Sequence, residues 1–298
     1  MRLRILLAVA AAAAVTACSG SPAPDAAHAK PAKPAKPAED TYYLALGDSL
    51  SQGVQPNAVG VSEPTRDGYP DQVYAVLRRS HSTLQLVKLG CPGETTSTMI
   101  HGGICRYRAG SQLAAAVAFL RAHRGRVLLV TIDIGANDPE HCGAQPGLKQ
   151  LASCIGQIPA AVTNLTTIMT RLKAAAGPGV RLAGMNYYLP ALAEWRDGLP
   201  GQAIAWLAEK LAATYNDSLD RVYTTSGARV ANVFGAFDTA DFAAKKATPG
   251  AGDVPRNVAL LCQWTWACAA PPRGPNQHAN QAGYQVIART FLQAAGPL

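Results

Sequence analysis

Tyr42-Tyr43-Leu44-Ala45-Leu46, followed at once by Gly47-Asp48-Ser49-Leu50-Ser51-Gln52-Gly53, sets the pattern for the chain. An uninterrupted short apolar run rich in β-forming residues reads as a strand buried on both faces. The Gly-Asp-Ser that ends it is turn chemistry, because glycine permits a tight reversal and Asp favours turns. Ser49 therefore stands at the carboxyl end of a buried strand, with its hydroxyl turned outward.

Working outward, the same unit recurs. Residues 84–89, 127–134, 181–187 and 229–233 read as further strands. Between them 71–79, 111–123, 158–176 and 201–226 carry apolar residues at helical spacing, and 281–295 closes the chain as a helix. Strand-helix alternation predicts an α/β fold, a doubly wound five-stranded parallel sheet flanked by helices in three layers. Ligands of such sheets sit beyond the carboxyl ends of the strands, at the point where strand order reverses. The segment 41–298 reads as one domain without internal repeats.

The N-terminus is of another kind. A basic start at Arg2 and Arg4 precedes an apolar stretch ending Val15-Thr16-Ala17-Cys18, shorter than the roughly 20 residues of a membrane span. Residues 1–17 read as an export signal, and the small residues before Cys18 resemble a lipoprotein cleavage box that leaves Cys18 lipidated. Ordinary cleavage beside an incidental cysteine is the competing reading. Residues 18–40 form an Ala/Pro/Lys-rich linker, whose Lys30, Lys33 and Lys36 are balanced by Asp25, Glu39 and Asp40. The expected location is the outer face of the cell membrane or envelope, with the membrane engaged through the anchor.

The chain has 298 residues, 48% hydrophobic and 15% charged, with a formal net charge of +8. That is a globular composition and excludes a wholly disordered chain. The basic residues are scattered and carry no interleaved aromatics, which argues against nucleic acid as a partner. A weakly basic surface suits anionic envelope material better. A monomer is expected.

Of seven cysteines, assigning Cys18 to lipid leaves six in three sequence-local pairs. In an exported chain these suggest disulfides Cys91–Cys105, Cys142–Cys154 and Cys262–Cys268, although six cysteines allow fifteen connectivities. A zinc site is disfavoured because no Cys-x-x-Cys exists and the histidines are dispersed, so no metal is expected.

Four short blocks follow the predicted strands or open the last helix: Gly47-Asp48-Ser49, Gly90-Cys91-Pro92-Gly93, Gly135-Ala136-Asn137-Asp138 and Asn276-Gln277-His278. In this order, over about residues 42–295, they resemble the Ser, Gly, Asn and His blocks of the GDSL or SGNH hydrolase family. The segment Cys262-Gln263-Trp264-Thr265-Trp266-Ala267-Cys268 resembles its secreted actinobacterial esterase and lipase branch. The resemblance implies a flavodoxin-like sandwich and a serine ester hydrolase that needs no cofactor. It implies Ser49 as nucleophile and His278 as base. The backbone N–H groups of Ser49 and Gly93 and the side-chain amide of Asn137 would receive the developing oxyanion. Singly, Ser49 reads as a helix cap, Asn137 as a turn residue and His278 as a solvated helix-start residue; jointly they point to chemistry.

One departure stands out. Where the family usually has an aspartate, three residues before the histidine, this chain has Pro275. The expectation is that the main-chain carbonyl of Pro275, or of Asn276, accepts from Nδ1 of His278, with Asp253 as the alternative. Trp264 is a candidate pocket wall while Trp266 packs under its loop, and Met99, Ile100 and Gly102-Gly103 form another wall. The expected substrates are carboxylic esters: acyl lipids or acylated envelope glycans. An envelope protein that binds acylated wall material without turning it over is the alternative from another class.

Overall fold

The computed structural model describes residues 39–138, 148–243, 245–248 and 252–298. The leader over 1–17, lipidation at Cys18, the linker up to residue 38 and the Cys142–Cys154 pairing fall outside what is described. Among the described residues no helix is long and apolar enough to cross a membrane.

In chain order the elements begin with β1 (Thr41–Gly47), β2 (Gln55–Pro56), β3 (Ser62–Glu63), α1 (Tyr69–Leu77), β4 (Leu84–Lys88), α2 (Thr96–His101) and α3 (Gln112–Ala122). Then come β5 (Val127–Asp133), α4 (Leu148–Ala176), β6 (Arg181–Met185), a 3₁₀ segment (Pro190–Asp197), α5 (Gly198–Thr225), β7 (Arg229–Ala231) and α6 (Val233–Ala236). The chain ends with β8 (Lys245–Thr248), β9 (Gly252–Pro255), α7 (Arg256–Trp264) and α8 (Gln281–Ala295).

Strands β4, β1, β5, β6 and β7 hydrogen-bond in that order, all parallel, giving the doubly wound sheet. The central strands explain their own position. Tyr43, Leu44, Ala45 and Leu46 of β1 are completely buried, as are most residues of β5, so both strands bury apolar side chains on each face. The edge strand β7 is short and begins with exposed Arg229, which limits edge pairing. Helix α1 packs on α8, with Tyr69 stacked on Phe291 at 4.6 Å between ring centroids. Helices α2, α3, α4 and α5 pack on one another as a second group.

One helix start and several short elements differ from the sequence reading. Helix α4 begins at Leu148, ten residues before the expected start, and carries Pro159 in its interior. Proline costs one backbone hydrogen bond, but the apolar periodicity beyond it keeps the helix continuous. The paired short strands β2–β3 and β8–β9 were not legible, being two to four residues long.

Strand order reverses at β1: the chain steps to β4 on one side and to β5 on the other. Gly47 and Asp133, the last residues of β1 and β5, are partners in register there. The crevice beyond them is where this topology places a ligand.

Candidate active site

The turn after β1 is held from beneath by a buried aspartate. Asp133 accepts at its main-chain oxygen from the N–H of Asp48 (3.0 Å), and at Oδ2 from the N–H groups of Asp48 and Ser51 (3.2 Å each). Its Oδ1 accepts from the hydroxyl of Tyr69 at 2.5 Å. Asp48 in turn accepts at Oδ1 from Leu50 N–H (2.9 Å), and its carbonyl accepts from Ser51 Oγ (2.7 Å). Gly47 has φ +132°, and a Cβ there would lie 2.1 Å from the main-chain oxygen of Asp133, so only glycine fits so close to β5. Ser49 thus has both flanking residues fixed. It caps no helix: a turn follows it, closed by Gln52 N–H and Val54 N–H to Ser49 O.

Its hydroxyl has another partner. Ser49 Oγ lies 2.9 Å from Nε2 of His278, 229 residues away in the chain. The loop that delivers His278 is pinned by main-chain bonds to Trp266: Trp266 N–H donates to His278 O and Asn276 N–H donates to Trp266 O, both at 3.0 Å. The ring is oriented by Asn276. Its Oδ1 accepts from His278 N–H at 3.0 Å and lies 2.8 Å from His278 Nδ1. A backbone N–H can only donate, so the atom facing it is the amide oxygen. That oxygen cannot donate to the ring, so Nδ1 carries the proton. Nε2 is left with its lone pair directed at the serine hydroxyl.

This corrects the expected role of Pro275. The acceptor is the side-chain oxygen of Asn276 and not a main-chain carbonyl of Pro275 or Asn276. The physical reason is an Asx turn, in which an Asn side chain bonds the backbone two residues on and here reaches the ring as well. Asp253 lies on β9, and among the described residues no carboxylate pairs with His278. Sequence reasoning passed over the Asn276 side chain, although an Asn two residues before the His was the available signal.

Gly93 and Asn137 follow the neighbouring strands β4 and β5. The segment before Gly93 is tied to the serine turn by Cys91 N–H donating to Gly47 O at 3.0 Å, and Cys91 is bridged to Cys105. Gly93 has φ +80°, and a Cβ on it would meet nothing within 4 Å. Its glycine is therefore required by backbone conformation, with open space in front of it. Asn137 is buried and donates from Nδ2 to the carbonyl of Glu94 at 2.9 Å. One amide hydrogen is used there and the second remains to donate elsewhere.

Burial dominates the electrostatics. It lowers the His278 imidazole to about 4, from an ordinary 6.5, with no anionic neighbour to oppose it. Burial also pushes the Asp48 carboxyl up to about 6, its hydrogen bonds holding it back from rising further. Asp133 is pushed well above the usual carboxylate range, by burial first and by the charge of Asp48 second. The free-standing imidazole is thus neutral near pH 7, as a proton acceptor must be.

The two tryptophans of the Cys262–Cys268 loop have different partners. Trp264, half-buried at the end of α7, packs edge-on against Phe237 at 5.1 Å and lies against the hydrophobic core. Trp266 instead donates from Nε1 to Gln55 Oε1 at 3.3 Å and carries the guanidinium of Arg273 over its ring at 5.4 Å. Both tryptophans adjoin the histidine loop through the main chain, since Trp264 O accepts from Asn280 N–H at 3.0 Å as Trp266 bonds His278 and Asn276. Met99 is completely buried in the core rather than lining a cleft.

The likeness to solved structures is one of fold. An extracellular lipase from Streptomyces rimosus superposes with a TM-score of 0.52 at 19% identity, covering 86% of this chain and all of that one (100%). An acetylxylan esterase from Geobacillus stearothermophilus gives 0.52 at 17% identity, covering 87% of this chain and 95% of that one. An alpha/beta hydrolase enzyme from the metagenome of Lake Arreo, Spain, gives 0.51 at 21% identity, covering 86% and 94%. No curated protein matches the chain. The family model described as GDSL-like lipase/acylhydrolase matches residues 45–286, from within β1 through the histidine loop into α8. With that match over most of its length, and its serine and histidine in contact beyond the carboxyl end of β1, the chain belongs to the GDSL-like lipase/acylhydrolase family.

Proposed function

We propose that this protein is a serine ester hydrolase acting on carboxylic esters through an acyl-enzyme. The observation that carries the reading is the 2.9 Å contact between Ser49 Oγ and His278 Nε2, with the ring tautomer set by Asn276. A hydroxyl is a weak nucleophile unless a base takes its proton as the bond forms. Ser49 Oγ attacks the ester carbonyl carbon while its proton passes to Nε2 of His278. The carbonyl oxygen becomes an oxyanion and accepts from Ser49 N–H, Gly93 N–H and the second amide hydrogen of Asn137. Collapse expels the alcohol as its oxygen takes the proton back from Nε2. Water, deprotonated by the same nitrogen, then attacks the acyl-serine; collapse breaks the bond to Ser49 Oγ, which takes that proton back from Nε2, and the carboxylic acid is released. Asn276 brings no charge to the imidazolium, so oxyanion stabilisation carries the larger share of the barrier reduction.

The substrate class follows from location rather than from the site. With Cys18 lipidated and 18–40 as a stalk, the catalytic domain would work at the membrane face of the envelope, on acyl lipids or acylated glycans. The lipase and acetylxylan esterase among its structural neighbours are compatible with either.

A fluorophosphonate probe and p-nitrophenyl acetate test the reading. The wild-type protein is expected to label and turn over, and Ser49→Ala to do neither with its fold intact. Absence of both activities in folded wild-type protein would overturn the enzyme reading in favour of a binding module for acylated envelope material.

A further inference from the structure

Gln112 is the first residue of α3, completely buried, and belongs to none of the four blocks. A buried primary amide is unfavourable unless its polar atoms are matched, and here both ends are. Its Oε1 accepts from Gly47 N–H at 2.7 Å, and its Nε2 donates to Gly47 O at 2.9 Å. The second hydrogen of Nε2 goes to Oε2 of buried Glu94 at 3.0 Å. Strand β4 pairs with β1 only as far as Lys88 opposite Ala45, which leaves Gly47 beyond the end of that ladder. Past that end Cys91 N–H still donates to Gly47 O at 3.0 Å, and the Gln112 amide adds a second donor to that oxygen and supplies the acceptor for Gly47 N–H.

The bonds run on from there. Glu94 follows Gly93, and its main-chain carbonyl is the acceptor for Asn137 Nδ2 at 2.9 Å. One amide side chain therefore ties the serine turn to the Gly93 loop, and that loop fixes the rotation of the Asn137 amide. All three groups assigned to the oxyanion hang from the connection Gly47–Gln112–Glu94–Asn137. We infer that Gln112, through Glu94, is a positioning residue that sets the geometry of the oxyanion donors. The inference rests on the hydrolase reading above. Gln112 touches no substrate atom; it acts through the groups that do. A displacement of about 1 Å in such donors lowers turnover substantially without weakening ground-state binding.

The test compares wild type, Gln112→Leu, Gln112→Glu, Asn137→Ala and the Gln112→Leu/Asn137→Ala double variant on p-nitrophenyl acetate, with unfolding curves for each. Leucine keeps the volume and removes every bond; glutamate keeps an acceptor for Gly47 N–H and loses the paired donors. Both are expected to lower kcat by about tenfold to a hundredfold with KM within about twofold. The double variant is expected within about threefold of Asn137→Ala alone, because both changes disable one unit. If Gln112→Leu does not fold, Gln112→Glu decides. Full kcat in a folded Gln112 variant, a rise in KM at constant kcat, or multiplicative losses in the double variant overturns the inference. Failure of wild type itself to hydrolyse the ester would remove the hydrolase reading, and this one with it, which is a different outcome from an active wild type beside unaffected Gln112 variants.

Discussion

Asn276 Oδ1 holds two donors of one residue, the backbone N–H of His278 at 3.0 Å and the ring Nδ1 at 2.8 Å. A neutral amide therefore occupies the position in which a carboxylate would otherwise orient the base. Replacing it by alanine frees the ring and both tautomers. Asn276→Ala is expected to lower kcat by about a hundredfold or more while the protein stays folded, since a base in the wrong tautomer cannot accept the serine proton. Unchanged kcat would show that the loop alone holds the ring. Steady-state kinetics with p-nitrophenyl acetate reads the difference.

The same site predicts an acid-tolerant pH profile. Burial holds His278 at about 4, below its ordinary value, so the base stays neutral well below pH 6. The acid limb of kcat/KM is expected near pH 4 rather than near 6.5. Asn276→Asp places a negative charge beside Nδ1, which favours the imidazolium and should move that limb upward. The linkage to stability has a definite sign. Because the folded protein binds the His278 proton more weakly than the unfolded chain, this group makes stability fall as pH drops from about 6.5 towards 4. A pH–rate profile of both proteins checks the first two statements, and urea unfolding at pH 5 and 7 checks the third.

The sheet was legible because its strands follow simple physics. β1 and β5 are predominantly apolar runs, and such runs between amphipathic helices admit few arrangements other than a parallel sheet. Ser49 and His278 were legible through block order, which needs no knowledge of distance. Asn276, Gln112 and Glu94 were not, for different reasons. Asn276 acts through a local Asx turn that looks like ordinary loop chemistry. Gln112 looks like any polar residue in a helical first turn, and only the topology that leaves Gly47 beyond the β4 ladder gives it a partner. Trp264 and Trp266 share one disulfide loop, and which of them turns into the core depends on the path of α7 rather than on their spacing.

Gly93 separates conformation from space. A Cβ added there would have no neighbour within 4 Å, yet φ is +80°. Gly93→Ala therefore meets no clash and is opposed only by the left-handed backbone, at about 1 kcal/mol. If the Gly93 N–H serves the oxyanion, relaxation of that backbone turns the donor away. The expected result is a loss of kcat of roughly tenfold or more with only a small fall in unfolding free energy. A stability loss without a kcat loss would place Gly93 in the scaffold and not in the site.

Beneath Ser49, Asp48 and Asp133 form a buried acidic pair whose donors are backbone amides and a tyrosine hydroxyl rather than a cation. Both carboxyls are raised, Asp48 to about 6 and Asp133 further, chiefly by burial. The folded protein consequently binds protons more tightly than the unfolded chain, and this pair's contribution to stability is lost as pH rises through about 6. Asp48→Asn keeps an oxygen for the N–H of Leu50 and removes one of the two charges. Relative to wild type, the variant is expected to gain stability progressively between about pH 4 and 6, where burial makes the wild-type Asp48 harder to ionise in the folded state. Urea unfolding across that range measures it. A stability difference that stays constant with pH would mean that the pair does not share a proton in the folded state, and that Asp48 acts only as an acceptor for the serine turn.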